Sequence, residues 1–335
     1  MRERIGVIGG GSWGTALAKL LAEKGYPVSM WVHDPEHCRD MSEKRENAAY
    51  LPGIALPYNL IPSADLREVV AGKSTLLCVV PSHVLRSVMS TVAPLIEGKP
   101  LIVSASKGIE DESSKTMIGV LEEVLPRALH SRLCALSGPS FAREVARGMP
   151  TAVTAAAADG EAAGECQTTF TTSFFRVYTS TDLVGVELGG AVKNVIAIAA
   201  GLSDGLGFGH NSRAALITRG IAEVARLGAR MGADPRTLAG LAGMGDLVLT
   251  CTGDLSRNRS VGIRLGKGEK LAEILGEMKM VAEGVRNAKS VYHLARKLGV
   301  EMPITEQMYL LLHEGKSARQ VVVDLMTRDL KPEIY

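Results

Sequence analysis

The amino-acid sequence predicts an α/β fold, with a doubly wound, mostly parallel sheet in the N-terminal half and an all-helical C-terminal domain. Three observations lead to this prediction. Short apolar runs alternate with helical patterns in the first half, as they do in βαβ units. A glycine-rich turn joins the first run to the first helix. The second half consists of Ala-, Leu- and Gly-rich segments with helical periodicity.

The strands of the predicted sheet are rich in Val, Ile and Leu and lack alternation with polar residues. Strands of this composition are buried on both faces, as helix-covered parallel strands are. The first five are Ile5–Ile8, Val28–Val32, Leu76–Val80, Leu101–Ala105 and Leu133–Ser137, and two later strands of the same sheet are Ala152–Ala156 and Phe174–Tyr178.

The predicted helices of the second half begin where the strand pattern stops, near Val184. Pro235 and Pro303 stand near helix starts, where proline is tolerated. A length of 335 residues suits two domains, which we place at residues 1–183 and 184–335. The helical segments are Val186–Gly201, Ala214–Met231, Leu271–Glu277, Ala288–Leu298 and Ile304–His313.

Composition and charge argue against several classes of protein. The net charge of +2 gives no excess of basic groups for binding nucleic acid. The five cysteines are dispersed and form no CxxC pair, which argues against a disulfide framework or a zinc site. Lys193 interrupts the most apolar stretch, so we expect no membrane span, and no targeting segment precedes the first strand. These features predict a cytoplasmic protein.

A dinucleotide-binding loop follows the first strand. Gly9, Gly11 and Gly14 form the pattern GxGxxG between this strand and an amphipathic helix, which is the context that the motif requires. The first glycine permits the tight turn, the second leaves room for a pyrophosphate, and the third lets helix and strand pack closely. The free N–H groups at the helix start then face the anion. The loop predicts a Rossmann-type domain that binds NAD(P).

The choice between NADP(H) and NAD(H) depends on the end of the second strand. NAD-selective sites carry an acidic residue there, whereas this sequence has His33 followed by Asp34. An imidazole tolerates a 2′-phosphate, so we favour NADP(H) or the use of both cofactors, while Asp34, Lys44 and Arg45 can shift the preference in either direction depending on where they point. The i,i+4 pair of His33 and His37 has metal-ligand spacing, but no third ligand is near, and we predict no metal.

Three further segments carry polar residues that suit a substrate anion. Lys107 follows the fourth predicted strand, at the sheet edge where ligands of such folds bind, although a surface lysine is the alternative. Lys193 stands alone in a small, apolar helix, where it is either a desolvated proton acceptor or a side chain extending to solvent. Residues 256–258, Ser-Arg-Asn, offer a hydroxyl, a guanidinium and an amide to a phosphate, or they form an ordinary polar loop.

Eight motifs follow one another along the chain from residue 9 to residue 284. They are Gly9–Ala16, Trp31–Asp34, Ser106–Gly108, Leu136–Ala142, Glu187–Asn194, Gly245–Leu247, Ser256–Arg259 and Val281–Gly284. Taken together, and in this order, they resemble bacterial NAD(P)-dependent glycerol-3-phosphate dehydrogenase. The mild departures are Met244, where leucine is common, and Trp13, one of several aromatic residues accepted at its position.

The resemblance implies roles for individual residues. The cofactor contacts that it implies are Ser12, Trp13, His33, Lys107, Ala142, Arg257, Val281 and Glu283, in addition to the glycine loop. The substrate contacts are Lys107, Gly138, Ser140, Lys193, Asp246, Ser256, Arg257 and Asn258. Lys193 matches the proton acceptor, and we expect Asp246 and Asn194 to orient it.

The implied reaction is reversible hydride transfer between NAD(P)H and dihydroxyacetone phosphate, which gives sn-glycerol 3-phosphate for glycerophospholipid synthesis. A dehydrogenase of hydroxycarboxylates is the alternative enzyme, and an NAD(P)-binding sensor without chemistry is the alternative from another class. The expected partners are these small molecules, without nucleic acid or an integral membrane contact. Apolar faces on the C-terminal helices are compatible with a homodimer.

Overall fold

The computed structural model describes residues 4–278 and 281–333, and within them it confirms the predicted α/β fold. The strands are β1 (Ile5–Ile8), β2 (Val28–Trp31), β3 (Leu60–Ser63), β4 (Thr75–Cys78), β5 (Leu101–Ser104), β6 (Leu133–Ser137), β7 (Thr151–Ala156) and β8 (Phe175–Ser180). They form one sheet in the order β3-β2-β1-β4-β5-β6-β7-β8. All neighbouring strands are parallel except β6 and β7. The order reverses direction at β1, as in doubly wound sheets.

Helices cover both faces of this sheet. One face packs against Leu17, Leu21 and Phe170, and the other against Met89 and Leu121, all of which are buried. The helices are α1 (Ser12–Glu23), α2 (Pro35–Lys44), α3 (Leu66–Val70), α4 (Leu85–Val92), α5 (Met117–Val124), α6 (Ala142–Ala146) and α7 (Gly160–Phe170). Short 3₁₀ segments span Ser82–Val84, Ala93–Leu95 and Arg127–Arg132.

The second half of the described chain is helical, as predicted. Its helices are α8 (Leu183–Gly205), α9 (His210–Met231), α10 (Pro235–Leu238), α11 (Asp246–Thr252), α12 (Arg257–Gly266), α13 (Leu271–Glu277), α14 (Glu283–Leu298), α15 (Pro303–His313) and α16 (Ala318–Met326), with a π-helical segment at Leu241–Gly245. β8 ends at Ser180 and α8 begins at Leu183. The domain division after residue 183 stays a prediction.

The helix α8 is apolar over a longer stretch than the presence of Lys193 suggested, and the expectation of no membrane span does not depend on that interruption. Among the described residues it is the one helix that is long and apolar enough to cross a membrane. Its most apolar stretch is 83% buried inside the protein, because neighbouring helices cover its apolar side chains. The helix therefore forms the core of the helical domain.

Glycines bring the backbones of α8 and α12 into direct contact. A Cβ atom at Gly201 would lie 2.1 Å from the carbonyl oxygen of Arg259, and one at Gly262 would lie equally close to that of Ile198. Larger residues would separate the helices. This close approach fixes the first turn of α12 beside the middle of α8.

The predicted strand limits lie within two residues of those observed, but the edge strand β3 was not predicted. Pro62 lies within it, and a short edge strand containing proline gives little periodic signal.

Residues 256–258 are not a polar loop, because Ser256 caps α12 and Arg257 begins it. All five cysteines are free and buried.

Candidate active site

A cleft of about 1070 Å³ runs along the carboxyl edge of the sheet and under the helical domain. The glycine loop lines one end of the cleft, and Lys193 of α8 lines the other. Open α/β sheets bind their ligands at this edge, where the order of the strands reverses. The cleft is large enough for a dinucleotide and a small substrate together.

The glycine loop has the backbone geometry of a pyrophosphate cradle. Gly9 has φ of 129°, and a Cβ atom there would lie 2.6 Å from the carbonyl oxygen of Val79. A Cβ atom at Gly14 would lie 2.0 Å from the carbonyl oxygen of Gly9, so Gly14 lets α1 approach the strand. At Gly11, by contrast, the space is open. Because no side chain caps α1, its first N–H groups face this space, and the loop fits an anionic cofactor.

Trp13 supplies a second sign that a ligand belongs here. Its side chain lines the cleft, and its indole Nε1 is buried without a hydrogen-bond partner among the described residues. Buried polar groups normally have a partner. Ser12, at the first position of α1, and Ala142, at the first position of α6, line the same part of the cleft.

At the ribose end, the acidic residue is engaged elsewhere. The Asp34 carboxylate caps α2 by accepting hydrogen bonds from the backbone N–H groups of Glu36 (2.9 Å) and His37 (3.4 Å). His33 is exposed beside this cap and lines the cleft. The His37 ring stacks on Tyr50 and lies 3.0 Å from the Asn47 Oδ1 atom. His37 is thus held by an amide and a ring.

Two lysines meet on one buried carboxylate at the other end of the cleft. Lys107 Nζ lies 2.5 Å from Oδ2 of Asp246, and Lys193 Nζ donates a hydrogen bond to Oδ1 of the same residue. Asp246 is only 1% exposed, whereas both lysines line the cleft. The carboxylate therefore lies behind the lysines and orients their ammonium groups toward the open space.

The surroundings of Lys193 favour loss of its proton. The residue is only 8% exposed, and burial lowers the pKa of its ammonium group to about 8, with a contribution from the nearby charge of Lys107. Asp246 opposes this shift by stabilising the ammonium form. Lys193 also donates to Thr250 Oγ1 at 2.9 Å, and Thr250 donates to the backbone oxygen of Asp246 at 2.6 Å. Burial excludes the solvent-extended conformation that the sequence left open.

A chain of amide hydrogen bonds joins three helices beside Lys193. Asn258 Nδ2 donates to Asn194 Oδ1 at 2.8 Å, and Asn258 Oδ1 accepts from the Gly284 N–H at 2.9 Å. The Ser256 hydroxyl caps α12 by accepting from the Arg259 N–H. The guanidinium of Arg257 donates to the Val281 carbonyl at 2.8 Å, and Arg257 lines the cleft. The segment 256–258 thus presents a cation and an amide to the cleft.

Of the remaining predicted site residues, some line the cleft and others lie behind its lining. Ser140 lines the cleft and donates to the Gly138 carbonyl at 3.0 Å, which also accepts from Lys107 at 3.3 Å. Glu283 lines the cleft too, and its carboxylate accepts from the Ser82 hydroxyl at 2.8 Å. Val281 is part of the same wall. Gly14, Gly138 and Asp246 lie behind the lining of the cleft and shape it.

Sequence reasoning missed several residues of this site. Thr250 could have been found from its spacing, since it lies one helical turn after Asp246 and therefore on the same face of α11. No sequence pattern marks Asn47 or Ser82, because each reaches the site from a loop or short 3₁₀ segment that is distant in sequence.

A glycine loop at one end of the cleft and a buried lysine on a helical domain at the other define a nucleotide-dependent dehydrogenase of the Rossmann class. Residues 4–163 match the family model for the N-terminal part of NAD-dependent glycerol-3-phosphate dehydrogenase, and residues 182–323 match that for its C-terminal part. The chain belongs to this family.

Individual relatives agree with the family match. The chain is 61% identical to a glycerol-3-phosphate dehydrogenase [NAD(P)+] of Citrifermentans bemidjiense and 60% identical to one of Geobacter sulfurreducens, each over 99% of both chains. A crystal structure of glycerol-3-phosphate dehydrogenase from Coxiella burnetii superimposes with a TM-score of 0.93 at 40% identity, covering 98% of this chain and 99% of the other. The resemblance stated from the motifs is confirmed.

Proposed function

We propose that this protein is an NAD(P)-dependent sn-glycerol-3-phosphate dehydrogenase that interconverts dihydroxyacetone phosphate and sn-glycerol 3-phosphate. The observation that carries the proposal is the pair of lysines on one carboxylate, at the end of a cleft that begins with a dinucleotide loop. One end fits a pyridine nucleotide, and the other presents cations and a proton carrier to a small phosphate ester.

The cofactor, when bound, supplies the hydride acceptor or donor. The N–H groups that follow Gly11 would hold its pyrophosphate, with Ser12 and Trp13 beside them. His33 would face its ribose, Ala142 would contact it beside Trp13, and Val281 and Glu283 would contact it from the wall that carries Arg257.

Lys193 is the general acid and base in this proposal. In oxidation, its neutral amine takes the proton of the C2 hydroxyl group, and in reduction its ammonium group returns that proton to the C2 oxygen. A pKa of about 8 keeps both forms accessible near neutral pH. Asp246 and Thr250 hold the nitrogen in place through their hydrogen bonds. Asn194, fixed by Asn258, lies next to the lysine in α8.

The substrate phosphate would bind among Lys107, Arg257 and Asn258. Two cations and an amide suit a phosphate dianion better than a carboxylate. Ser256 would hold Arg257 and Asn258 in place by capping their helix. Ser140 and Gly138 would border the site on the sheet side, where Gly138 holds the Lys107 ammonium group.

The biological setting belongs to the same proposal. We place the enzyme in the cytoplasm, supplying glycerol 3-phosphate for glycerophospholipid synthesis, with small molecules as partners. A homodimer is supported by exposed apolar side chains on α16, since Val323 is 49% exposed and Met326 is 80% exposed. The mass of the protein in solution, measured by light scattering, tests this point.

The deciding experiment is the oxidation of NADPH and of NADH by the purified protein, with dihydroxyacetone phosphate as the sole acceptor. We expect turnover that requires the phosphate ester, with none on dihydroxyacetone at the same concentration. The ratio of kcat/KM for the two nucleotides measures cofactor preference. Nucleotide binding without turnover would contradict the proposal and favour a hydroxycarboxylate dehydrogenase or a sensor.

A further inference from the structure

Glu187 is a buried acidic residue near the start of α8 to which the mechanism assigns no task. Its carboxylate accepts a hydrogen bond from the Ile118 N–H at 2.8 Å, across the boundary between the sheet domain and the helical domain. The Thr116 side chain and the Met117 N–H also stabilise the charged form. These three donors form the start of α5, so Glu187 caps a helix that belongs to the other domain.

The helix α5 has its own N-cap in Thr116, whose hydroxyl accepts from the Gly119 N–H at 3.5 Å, but it has no acidic residue in its first turn, so the negative charge at its start comes from Glu187. A negative charge at a helix start is favourable, since the free N–H groups there carry partial positive charge. Burial raises the pKa of Glu187 to about 7, and the hydrogen bonds of the cap oppose that rise. Burial is the larger of the two effects, so the hydrogen bonds of the cap offset part of the cost of burying this carboxylate.

The segment that precedes α5 carries Lys107. It leaves the sheet at Ser104, closes on itself through the pairing of Ile109 with Thr116, and enters α5. Ile109 is buried against Leu188 and other apolar residues of the helical domain. The loop that bears Lys107 is thus attached to α8 twice, once by apolar packing at Ile109 and once by Glu187 at its end.

The second lysine of the pair, Lys193, lies on α8 itself, six residues after Glu187. Six residues advance a helix by about 9 Å. Between them, Gly190 lets α8 approach Lys107 closely, since a Cβ atom there would lie 3.3 Å from the Lys107 Cδ atom. Any sliding or rotation of α8 against the loop would alter how the two lysines share Asp246.

We propose that Glu187 is a positioning residue for the lysine pair. By fixing α8 to the end of the loop that carries Lys107, it sets the positions of both ammonium groups relative to Asp246. This inference rests on the proposed function, because it assigns Glu187 to the chemistry of the dehydrogenase. A displacement of about 1 Å in a reacting group costs up to about a hundredfold in rate.

The test compares E187Q with E273Q. Both exchange a carboxylate for an amide of the same size, but Glu273 lies exposed on α13 and does not act on the charge of Glu187 as Glu122 does. The amide of E187Q turns one acceptor into a donor that faces N–H groups. We expect E187Q to lower kcat by about tenfold to a hundredfold and to keep the Kd for NADPH, whereas E273Q keeps both.

A second readout does not depend on turnover. The rate at which acetic anhydride labels Lys193, followed by mass spectrometry as a function of pH, reports the pKa of that amine. In E187Q, Lys107 is free to move away, its repulsion of the Lys193 charge weakens, and the labelling midpoint moves to higher pH. The other charge facing Lys193 is Asp246, which both variants retain.

Unchanged kcat and an unchanged labelling profile in E187Q would overturn the inference. A different result would overturn it too. If E187Q loses kcat, binds NADPH more weakly and has a lower Tm while its labelling profile stays unchanged, the substitution has destabilised the protein in general. If E187Q does not fold, E187D decides by the same readouts, because it keeps the charge but shortens the reach by one methylene group. Wild-type protein without turnover would refute the proposed function. The labelling profiles of the wild type and E187Q would still test whether Glu187 positions Lys107 and Lys193.

Discussion

The Nζ atom of Lys107 lies 2.5 Å from the Oδ2 atom of Asp246, although 138 residues separate them in the chain. The contact joins the loop after β5 to α11, and hence the sheet domain to the helical domain. Because the other oxygen of this carboxylate binds Lys193, one buried anion organises two cations of the site.

Replacing the proposed proton carrier should remove most of the activity. We expect K193A to lower kcat by at least about a hundredfold, because general acid and base catalysis contributes on that scale. The measurement is steady-state oxidation of NADPH with dihydroxyacetone phosphate. The matched control is K99A, which removes an exposed lysine far from the cleft. Turnover near that of the wild type in K193A would refute the assignment.

The pH dependence of kcat/KM should have opposite signs for reduction of dihydroxyacetone phosphate and for oxidation of sn-glycerol 3-phosphate. Reduction needs the ammonium form of Lys193, so its kcat/KM should fall as the pH rises through the pKa of about 8. Oxidation needs the neutral amine, so its kcat/KM should rise over the same range. In D246N the anion that stabilises the ammonium form is lost, and both transitions should move to lower pH. Transitions of the same sign in both directions would exclude this role.

Removal of the exposed guanidinium should weaken substrate capture. We expect R257A to raise the KM for dihydroxyacetone phosphate by about tenfold or more, because a charge-assisted contact to phosphate is lost. R257K, which keeps a point charge without the planar fork, should fall between R257A and the wild type. R236A is the control, since Arg236 is exposed and pairs with Asp234 on the surface. An unchanged KM in R257A would place the phosphate elsewhere.

Cofactor preference should respond to the charge at residue 33. Asp34 is engaged in capping α2 and His33 lines the cleft, so we expect the imidazole of His33 to face the 2′ substituent of the cofactor. We expect H33D to lower the ratio of kcat/KM for NADPH to that for NADH by at least about tenfold, through repulsion of the 2′-phosphate. H210D, which places the same charge on the exposed start of α9, should leave the ratio unchanged. Equal effects of the two substitutions would indicate a general effect of charge.

Stability should depend on pH through the buried Glu223. This carboxylate accepts from the Ile304 N–H at 2.6 Å and the Thr305 N–H at 3.1 Å, and burial raises its pKa to about 7. The folded protein therefore holds a proton between roughly pH 4.5 and 7 that the unfolded chain releases. Stability from this group is present below that range and falls as the pH rises through it, by roughly 3 kcal/mol at most.

The measurement is the free energy of unfolding of the wild type and of E223Q at pH 5 and pH 8. E223Q does not ionise, so the wild type should lose more stability than E223Q between the two values. E273Q, at an exposed position on α13, should behave as the wild type does. Parallel loss in the wild type and E223Q would show that Glu223 does not titrate in this range.

The sequence predicted the fold class, the dinucleotide loop and the family because these are written in local patterns. Periodicity marks a strand or a helix within one segment, and Gly9, Gly11 and Gly14 act within one turn. Edge strand β3 and helix α12 were missed for a local reason as well. Pro62 in the first, and Gly262 and Gly266 in the second, weaken the periodic signal.

Tertiary structure decided how the side chains of the site are used. The sequence left Lys193 either extending to solvent or buried, and only the packing around α8 excludes water from it and lowers its pKa. The sequence could not show that Lys107 and Lys193 share Asp246, or that Glu187 caps α5 from another domain. Burial, pKa and hydrogen-bond partners depend on groups that are distant in the chain, so no local pattern records them.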